Sequence, residues 1–551
     1  MIRISALLAL GLAVNLAGCA MQPTADGDLA QNEAAAENRE LPTEIAETEE
    51  QAPFPDLQVD GSSNLAPFEV EQNIWLRMRE GYGMETALES SLEQPRVQSH
   101  LDWHRCRVDF LERVTARSEP YLHLILDEIE QRDLPTELAL LPIVESAYIP
   151  YAYSHGRAAG LWQFIPATGR RFGLKQNWWY DGRRDVLEST RAALDYLEYL
   201  NKRFDGDWLL ALAAYNAGEG NVGRAIRRNE ARGRPTDFWH LDLPRETENY
   251  VPKLLAVAAL VGDPDFYGAS LWPIPDEPYL AAVPLPSQID LAVAAELAEM
   301  DVDEIYMLNP GFNRWATDPN GPHALLLPIE RAEVFRARLA EIPPTQLVTW
   351  QRHQIRSGET LGHIAERYGT TVAIIKRSNQ LRSSSIRAGD YLLVPVSQRP
   401  TDDYSLTSEQ RRASIQNIER DGRRIQYEVQ PGDSFWDIAR RYNVSVSQLA
   451  KWNGMAPRDT LRAGDRLVIW VPENGNLQES SLRLPDLERR IPGDTVRRVS
   501  YAVRQGDSLF GIARRFSVDV ADIRRWNRID GSLLRPGQRL TLYVDVTELD
   551  S

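Results

Sequence analysis

Glu145 is the residue in this sequence whose setting first suggests catalysis. It lies in Leu138-Ala139-Leu140-Leu141-Pro142-Ile143-Val144-Glu145-Ser146-Ala147-Tyr148, a nearly unbroken apolar run of the kind that folds into an interior. Apolar surroundings disfavour the charged form of a carboxyl, so its pKa rises and it can hold a proton near neutrality. That is the property a general acid needs to protonate a glycosidic oxygen. Taken alone, the segment fits equally a helix-end Glu that reaches solvent or pairs with an Arg. Asp181, Asp185 and Asp207 follow in sequence and are uncommitted, so a second carboxylate beside Glu145 stays open. Other chemistry is easier to set aside. Gly218-Glu219-Gly220-Asn221-Val222-Gly223 matches G-x-G-x-x-G literally, but it follows an Ala/Leu-rich helical stretch, Trp208 to Tyr215, rather than a strand, and so reads as a helix–helix turn. The His residues are scattered and no H-E-x-x-H occurs, so neither a metal nor a cofactor is expected.

The company Glu145 keeps, in a fixed order, is more telling. Glu145-Ser146 is followed by Ser154, then Gly160-Leu161-Trp162-Gln163-Phe164-Ile165-Pro166, then Ala214-Tyr215-Asn216-Ala217-Gly218, then Glu246-Thr247-Glu248-Asn249-Tyr250-Val251. This series resembles the soluble-type lytic transglycosylase domain, a mainly α, goose-lysozyme-like fold that cuts peptidoglycan glycan strands. The resemblance implies that Glu145 is the single acid and base. It further implies that Ser154, Trp162, Gln163, Phe164, Tyr215, Asn216, Glu246 and Tyr250 bind substrate or line the cleft. The implied reaction needs no second carboxylate, unlike the usual two-carboxylate scheme. The acid protonates the oxygen between N-acetylmuramic acid and N-acetylglucosamine, then as a base takes the proton of the muramoyl C6 hydroxyl, which closes on C1 as a 1,6-anhydro end. A lysozyme-like hydrolase on the same fold, or an inactive wall-binding scaffold, are the alternatives.

The elements that must position these residues are helical. Tyr121, Leu124, Ile125 and Glu128 share one 3.6-period face, and Ala192, Ala193, Tyr196, Leu197 and Leu200 another. We place a helical flank at 66–119 and the catalytic domain at 120–265. Its dense aromatics are mostly core, with a few available to line a sugar groove.

Beyond residue 350 the chain repeats. Arg356-Ser357-Gly358-Glu359-Thr360-Leu361 recurs as Gln430-Pro431-Gly432-Asp433-Ser434-Phe435 and as Arg504-Gln505-Gly506-Asp507-Ser508-Leu509. Thr360, Ser434 and Ser508 stand at helix N-caps. A second short helix ends at Asn379, Asn453 or Asn527, and a strand-like run closes each unit. These βααβ units at 352–396, 426–471 and 500–545 resemble the LysM module, which implies binding to N-acetylglucosamine-containing polymers. Trp452 and Trp526 precede the Asn in two units, but Ser378 does in the first. A fainter echo at 285–330, with Leu308-Asn309 and Leu326-Leu327-Pro328, suggests a degenerate fourth unit. The connecting stretches 397–424 and 472–498 are polar and charged, so they read as linkers that leave module orientation unfixed.

At the other end, Arg3 and the apolar Ile4–Leu16 precede Leu16-Ala17-Gly18-Cys19, an export signal too short to span a bilayer. It resembles the bacterial lipoprotein signal, with 1–18 removed and Cys19 lipidated. Ala20, rather than Asp, then implies passage to the outer membrane. Residues 19–65 are acidic, with Arg39 the lone base beyond residue 20, and read as a solvated tether. The remaining cysteine, Cys106, reads as a buried small hydrophobe, and two cysteines cannot build a disulfide framework. The net charge of −17 over 551 residues excludes nucleic acid as an expected partner. The expected partners are peptidoglycan glycan strands and, through Cys19, a membrane.

Overall fold

The computed structural model describes residues 73–471 and, further on, 496–503, 509, 512, 513, 518, 520–527, 534 and 538–545. The signal, Cys19, the acidic tether, residues 472–495 of the 472–498 linker and the Arg504–Ser508 turn lie outside the described residues, while 496–498 belong to a strand. The chain divides into two compact units, the second beginning at Asn476.

The first unit begins with helices. Short ones (Ile74–Glu80, Glu85–Ser91, Pro95–Arg105) lead into the long Val108–Glu130. Its buried face is Tyr121, Leu122, Ile125, Leu126 and Ile129, one residue round from the face read in the sequence, so Leu124 and Glu128 sit at its edge. Asp185 caps Val186–Arg203 by accepting from the Glu188 amide, and Asp207 caps Trp208–Ala217 by accepting from the Leu210 amide. The Ala192, Ala193, Tyr196, Leu197 and Leu200 face is buried. Arg245–Gly262 is apolar nearly all round and therefore central. It packs on Pro95–Arg105, Trp208–Ala217, the Thr136–Leu140 turn and the short helix Leu141–Ser146.

Then a strand–helix–helix–strand unit follows. Leu280–Pro284 pairs antiparallel with Ala324–Pro328 around helices Leu291–Ala298 and Val302–Leu308, and a further helix, Ile329–Glu341, covers it. The unit is locked to the helical domain by Tyr121 and Tyr151, whose hydroxyls donate to the Met307 and Tyr306 carbonyls at 3.0 and 2.7 Å, and by the ring pairs Trp179–Trp315 and Tyr180–Phe312, each 5.5 Å apart. Two of the repeats have the same order, with strand pairs Thr349–Gln354/Tyr391–Val396 and Arg423–Glu428/Arg466–Val471. In the second unit of the chain, Val496–Ala502 pairs with Arg539–Asp545.

One side chain explains the terminal Asn of every second helix. Asn453, wholly buried, donates to the Leu449 and Val468 carbonyls and accepts from the Val468 amide, at 2.7 to 2.8 Å. It thus closes its own helix and staples it to the last strand. Asn379 does the same with Ile375 and Leu393, Asn527 with Ile523 and Thr541, and Asn309 with Ile305 and Leu326. A primary amide offers both donors and an acceptor, and Leu or Ser here would strand backbone groups at about 1–3 kcal/mol each.

Two sequence readings need correction. Cys106 is exposed, at the C-cap of Pro95–Arg105, where its amide turns back to the Asp102 carbonyl and the Arg107 amide to that of His104. The 397–424 stretch is no free linker. It contains the helix Ser408–Asn417, capped by Thr407, and Tyr404, Leu406 and Arg411 are buried. Its charge hides a few residues that anchor it.

Candidate active site

The short helix Leu141–Ser146 buries every residue except Glu145. It stops because Ala147 and Tyr148 take left-handed conformations, φ 49° and 55°, while their amides return to the Ile143 and Pro142 carbonyls. Such a φ is unfavourable for residues with a Cβ, and burial of both side chains holds it in place. Ser146 Oγ lies 3.0 Å from the Leu161 carbonyl, pinning the helix end to the next loop.

Tyr250, on the central helix, donates its hydroxyl to Glu145 Oε1 at 2.6 Å. Tyr215 donates to the Trp162 carbonyl at 2.8 Å. Burial first, and the neighbouring Glu145 second, push both phenols well above their ordinary range, so both stay protonated donors. Asn216 donates to Glu246 Oε1 at 3.1 Å and accepts from Thr247 at 2.6 Å, which ties the end of Trp208–Ala217 to the start of the central helix.

The Gly160–Ile165 loop meets these helices through the Leu161 and Trp162 carbonyls. Gly160 has φ 82°, and a Cβ there would lie 2.0 Å from the Arg183 carbonyl oxygen, so only glycine fits. Gln163, half-buried at φ 46°, donates to the Gly160 carbonyl at 2.8 Å. Ser154 Oγ accepts from the Ala158 amide at 3.0 Å, closing a loop from Tyr153 to Ala159. Arg183 bridges these loops, donating to the Arg157 and Phe164 carbonyls at 2.6 and 3.2 Å.

The carboxylates left open by the sequence have other employment. Asp181 pairs with Arg183 at 2.7 Å; burial alone would raise it, but Arg183 and Arg184 hold it below its usual range. Asp185 and Asp207 are the caps described above. The G-x-G-x-x-G stretch opens the helix Glu219–Glu230 directly after another helix.

Trp162 and Phe164 depart from their expected role. Trp162 is 0% exposed, its indole donating to Thr190 Oγ1 at 2.9 Å, and Phe164 is buried against Tyr215. Both belong to the hydrophobic core of the helical domain, so neither ring presents a face to solvent. Their neighbour Ile165 is 46% exposed. Three contributors escaped the sequence reading. These are Arg183, Thr247 and Lys253, whose Nζ lies 3.5 Å from the Val144 carbonyl. Lys253 was findable, since it stands one helical turn from Tyr250 on the same face.

Residues 127–238 match the family described as Transglycosylase SLT domain. Residues 279–344 match the Lytic transglycosylase MltD, LysM-like domain, and 353–395, 427–470 and 501–542 match the LysM domain. Membrane-bound lytic murein transglycosylase D of Escherichia coli (strain K12) is 38% identical over 398 residues, 70% of this chain and 84% of that protein. A protein of Alteromonas sp. (strain M-1) named for tributyltin chloride resistance is 54% identical over 124 residues, 22% of this chain and 60% of that one. A solved lytic transglycosylase Slt from Pseudomonas aeruginosa is 26% identical, covering 28% of this chain and 24% of that one, with a TM-score of 0.21.

Proposed function

This chain belongs to the family of membrane-bound lytic murein transglycosylase D, and on that premise we propose that Glu145 is the one acid and base with which this peptidoglycan lytic transglycosylase works. The observation that carries the reading is the setting of its carboxyl, on the one half-buried side chain of an otherwise buried helix, with Oε1 already accepting from Tyr250. A proton on this group then resides on Oε2. It passes to the oxygen linking C1 of N-acetylmuramic acid to N-acetylglucosamine as that C1–O bond breaks. The carboxylate then removes the C6 hydroxyl proton, and the C6 oxygen bonds to C1. No water is consumed. The attack is intramolecular and gains a high effective molarity, which is why a single carboxyl suffices.

Glu145→Gln keeps the shape and abolishes the proton transfer. Release of anhydro-muropeptides from purified sacculi should fall by about 10²–10⁴-fold. Products of the parent should be lighter by one water than those of a hydrolase. Hydrated ends from the parent, or an unimpaired Gln variant, would overturn the assignment.

Ser154, Gln163, Tyr215, Asn216, Glu246 and Tyr250 make up the walls of the groove in this reading, with Ile165 replacing Trp162 and Phe164 as an apolar platform. The repeats bind the N-acetylglucosamine-containing glycan, and several weak modules on one chain raise its effective concentration at the wall. Cys19 carries the lipid that anchors the enzyme in the cell envelope, at the outer membrane and facing the periplasm. Several acyl chains are needed for a stable anchor, so Cys19→Ser should move the protein from the membrane fraction to the soluble periplasm. A variant that stays with the membranes would remove the lipid from this account.

A further inference from the structure

The loop that carries Ser154 is gripped from outside by the second repeat. Asp459 accepts from the Tyr153 hydroxyl at 3.1 Å through either oxygen and forms an ion pair with the Arg157 guanidinium, 2.7 Å from Nε. His155 meets Ser447 at 2.7 Å. Alternate residues on both sides of Ser154 are therefore held by one module. The 397–424 strap secures the same junction. Its Arg412 and Gln416 bond the Asn453 backbone and side chain at 3.3 and 2.9 Å, its Ser408 amide donates to Asn313, and Arg411 stacks 4.4 Å over Tyr151.

The chain's own repeats provide a control. Six residues beyond the stapling Asn, the first repeat has Ser385 and the third Leu533, where the second has Asp459. Six residues before it, they have Ala373 and Ala521, where the second has Ser447. The shared fold thus requires neither polar group. Both occur only in the second repeat, where they meet the catalytic domain. Asp459 also accepts from the Ala456 amide at 2.8 Å, which orients the carboxylate within its own loop. At 16% side-chain exposure it is better shielded than the surface pairs that contribute almost nothing.

We propose that the second repeat forms the outer wall of the Tyr153–Arg157 loop, and that Asp459 is a positioning residue for the transglycosylase reaction, acting through Tyr153 and Arg157 on the placement of Ser154. The inference rests on the reading of Glu145 and its cleft given above. It assigns this repeat a second role besides glycan capture, because glycan leaving the cleft on this side meets a wall fixed to the enzyme.

The test uses the full chain and soluble, uncrosslinked glycan strands, with the rate of anhydro-end formation read by mass spectrometry. Asp459→Ser installs the residue of the first repeat. It should lower kcat by about tenfold, with sacculus pull-down and cooperative melting like the parent. Arg157→Gln, altered on the catalytic side, should do the same, and the double variant should be no worse than either single. Ser447→Ala should give a smaller loss in the same direction. In a Ser154→Ala background, Asp459→Ser should cost nothing further, which a general loss of structure would not reproduce. Parent-like or raised kcat in Asp459→Ser and Arg157→Gln, or losses that simply add, would overturn the proposal. A parent that forms no anhydro ends would instead overturn the function from which it starts.

Discussion

Tyr250 and Glu145 are separated by 105 residues, and the hydrogen bond between them shows how the ordered motifs become one site. The bond is charge-assisted whenever Glu145 is ionised, and such bonds contribute about 1.5–3 kcal/mol. Tyr250→Phe leaves the buried ring in place and removes only the donor. At 1.4 kcal/mol per tenfold, kcat should fall by about 10- to 150-fold with KM little changed. An equal rise in KM with kcat preserved would mean that Tyr250 binds sugar rather than orients the acid. Motif order made Glu145 and Tyr250 legible because chemistry restricts which residue types can serve there. Exposure was not legible in the same way. The Gly160–Pro166 run marks Trp162, Phe164 and Ile165 equally, and only the packing of the loop on Thr190 and Tyr215 turns two inward and one outward.

Among the elements, the central helix has a partner that titrates. His100 and His104 lie one turn apart on Pro95–Arg105, both buried, and His100 Nε2 and His104 Nδ1 have no hydrogen-bond partner. Burial above all, then Lys253 on the central helix, lowers His100 to about 4. Burial, then His100, Lys253 and Arg107, lowers His104 to about 3. Both rings are therefore neutral in the fold, while in the unfolded chain they take up protons near 6.5. Their contribution is complete above that pH and is lost as pH falls from about 6.5 toward 4 and 3. Melting temperature should decline through this window. A His100→Gln/His104→Gln chain should decline less, though from a lower start. A parent curve flat from pH 7 to 4 would show that the rings are hydrated and titrate freely. Acid thus loosens the helix packed against the one that carries Tyr250, and activity should fade with it. The sequence reading placed Pro95–Arg105 in a helical flank, yet nothing in the sequence set the two His apart from surface residues.

At the scale of the molecule, the least legible feature was the strap. Its composition suggests a solvated linker, and that inference fails because a segment is fixed by a few anchors rather than by its average. Tyr404 is wholly buried and donates to Asp290 at 2.9 Å, while the Gln398 amide reaches the same carboxylate at 2.8 Å. Asp290 is itself the N-cap of Leu291–Ala298, so one buried acid joins the strap to the unit beneath it. Arg411 lays its stem along Tyr151 and donates to the Leu406 carbonyl, as long cationic side chains can. Removing an aromatic of this size costs about 3–5 kcal/mol, and Tyr404→Ala also withdraws a donor from Asp290. That exceeds what a strap without a core of its own can withstand. Trypsin should therefore cut the variant at Arg411 and Arg412 while the helical domain still melts cooperatively, and leave the parent intact there under the same conditions. Should the parent be cut at these sites as fast as an unfolded peptide, the second repeat would be tethered rather than held. The wall proposed for the Ser154 loop would then lose its support, and the capture of glycan by the repeats would be uncoupled from its cleavage.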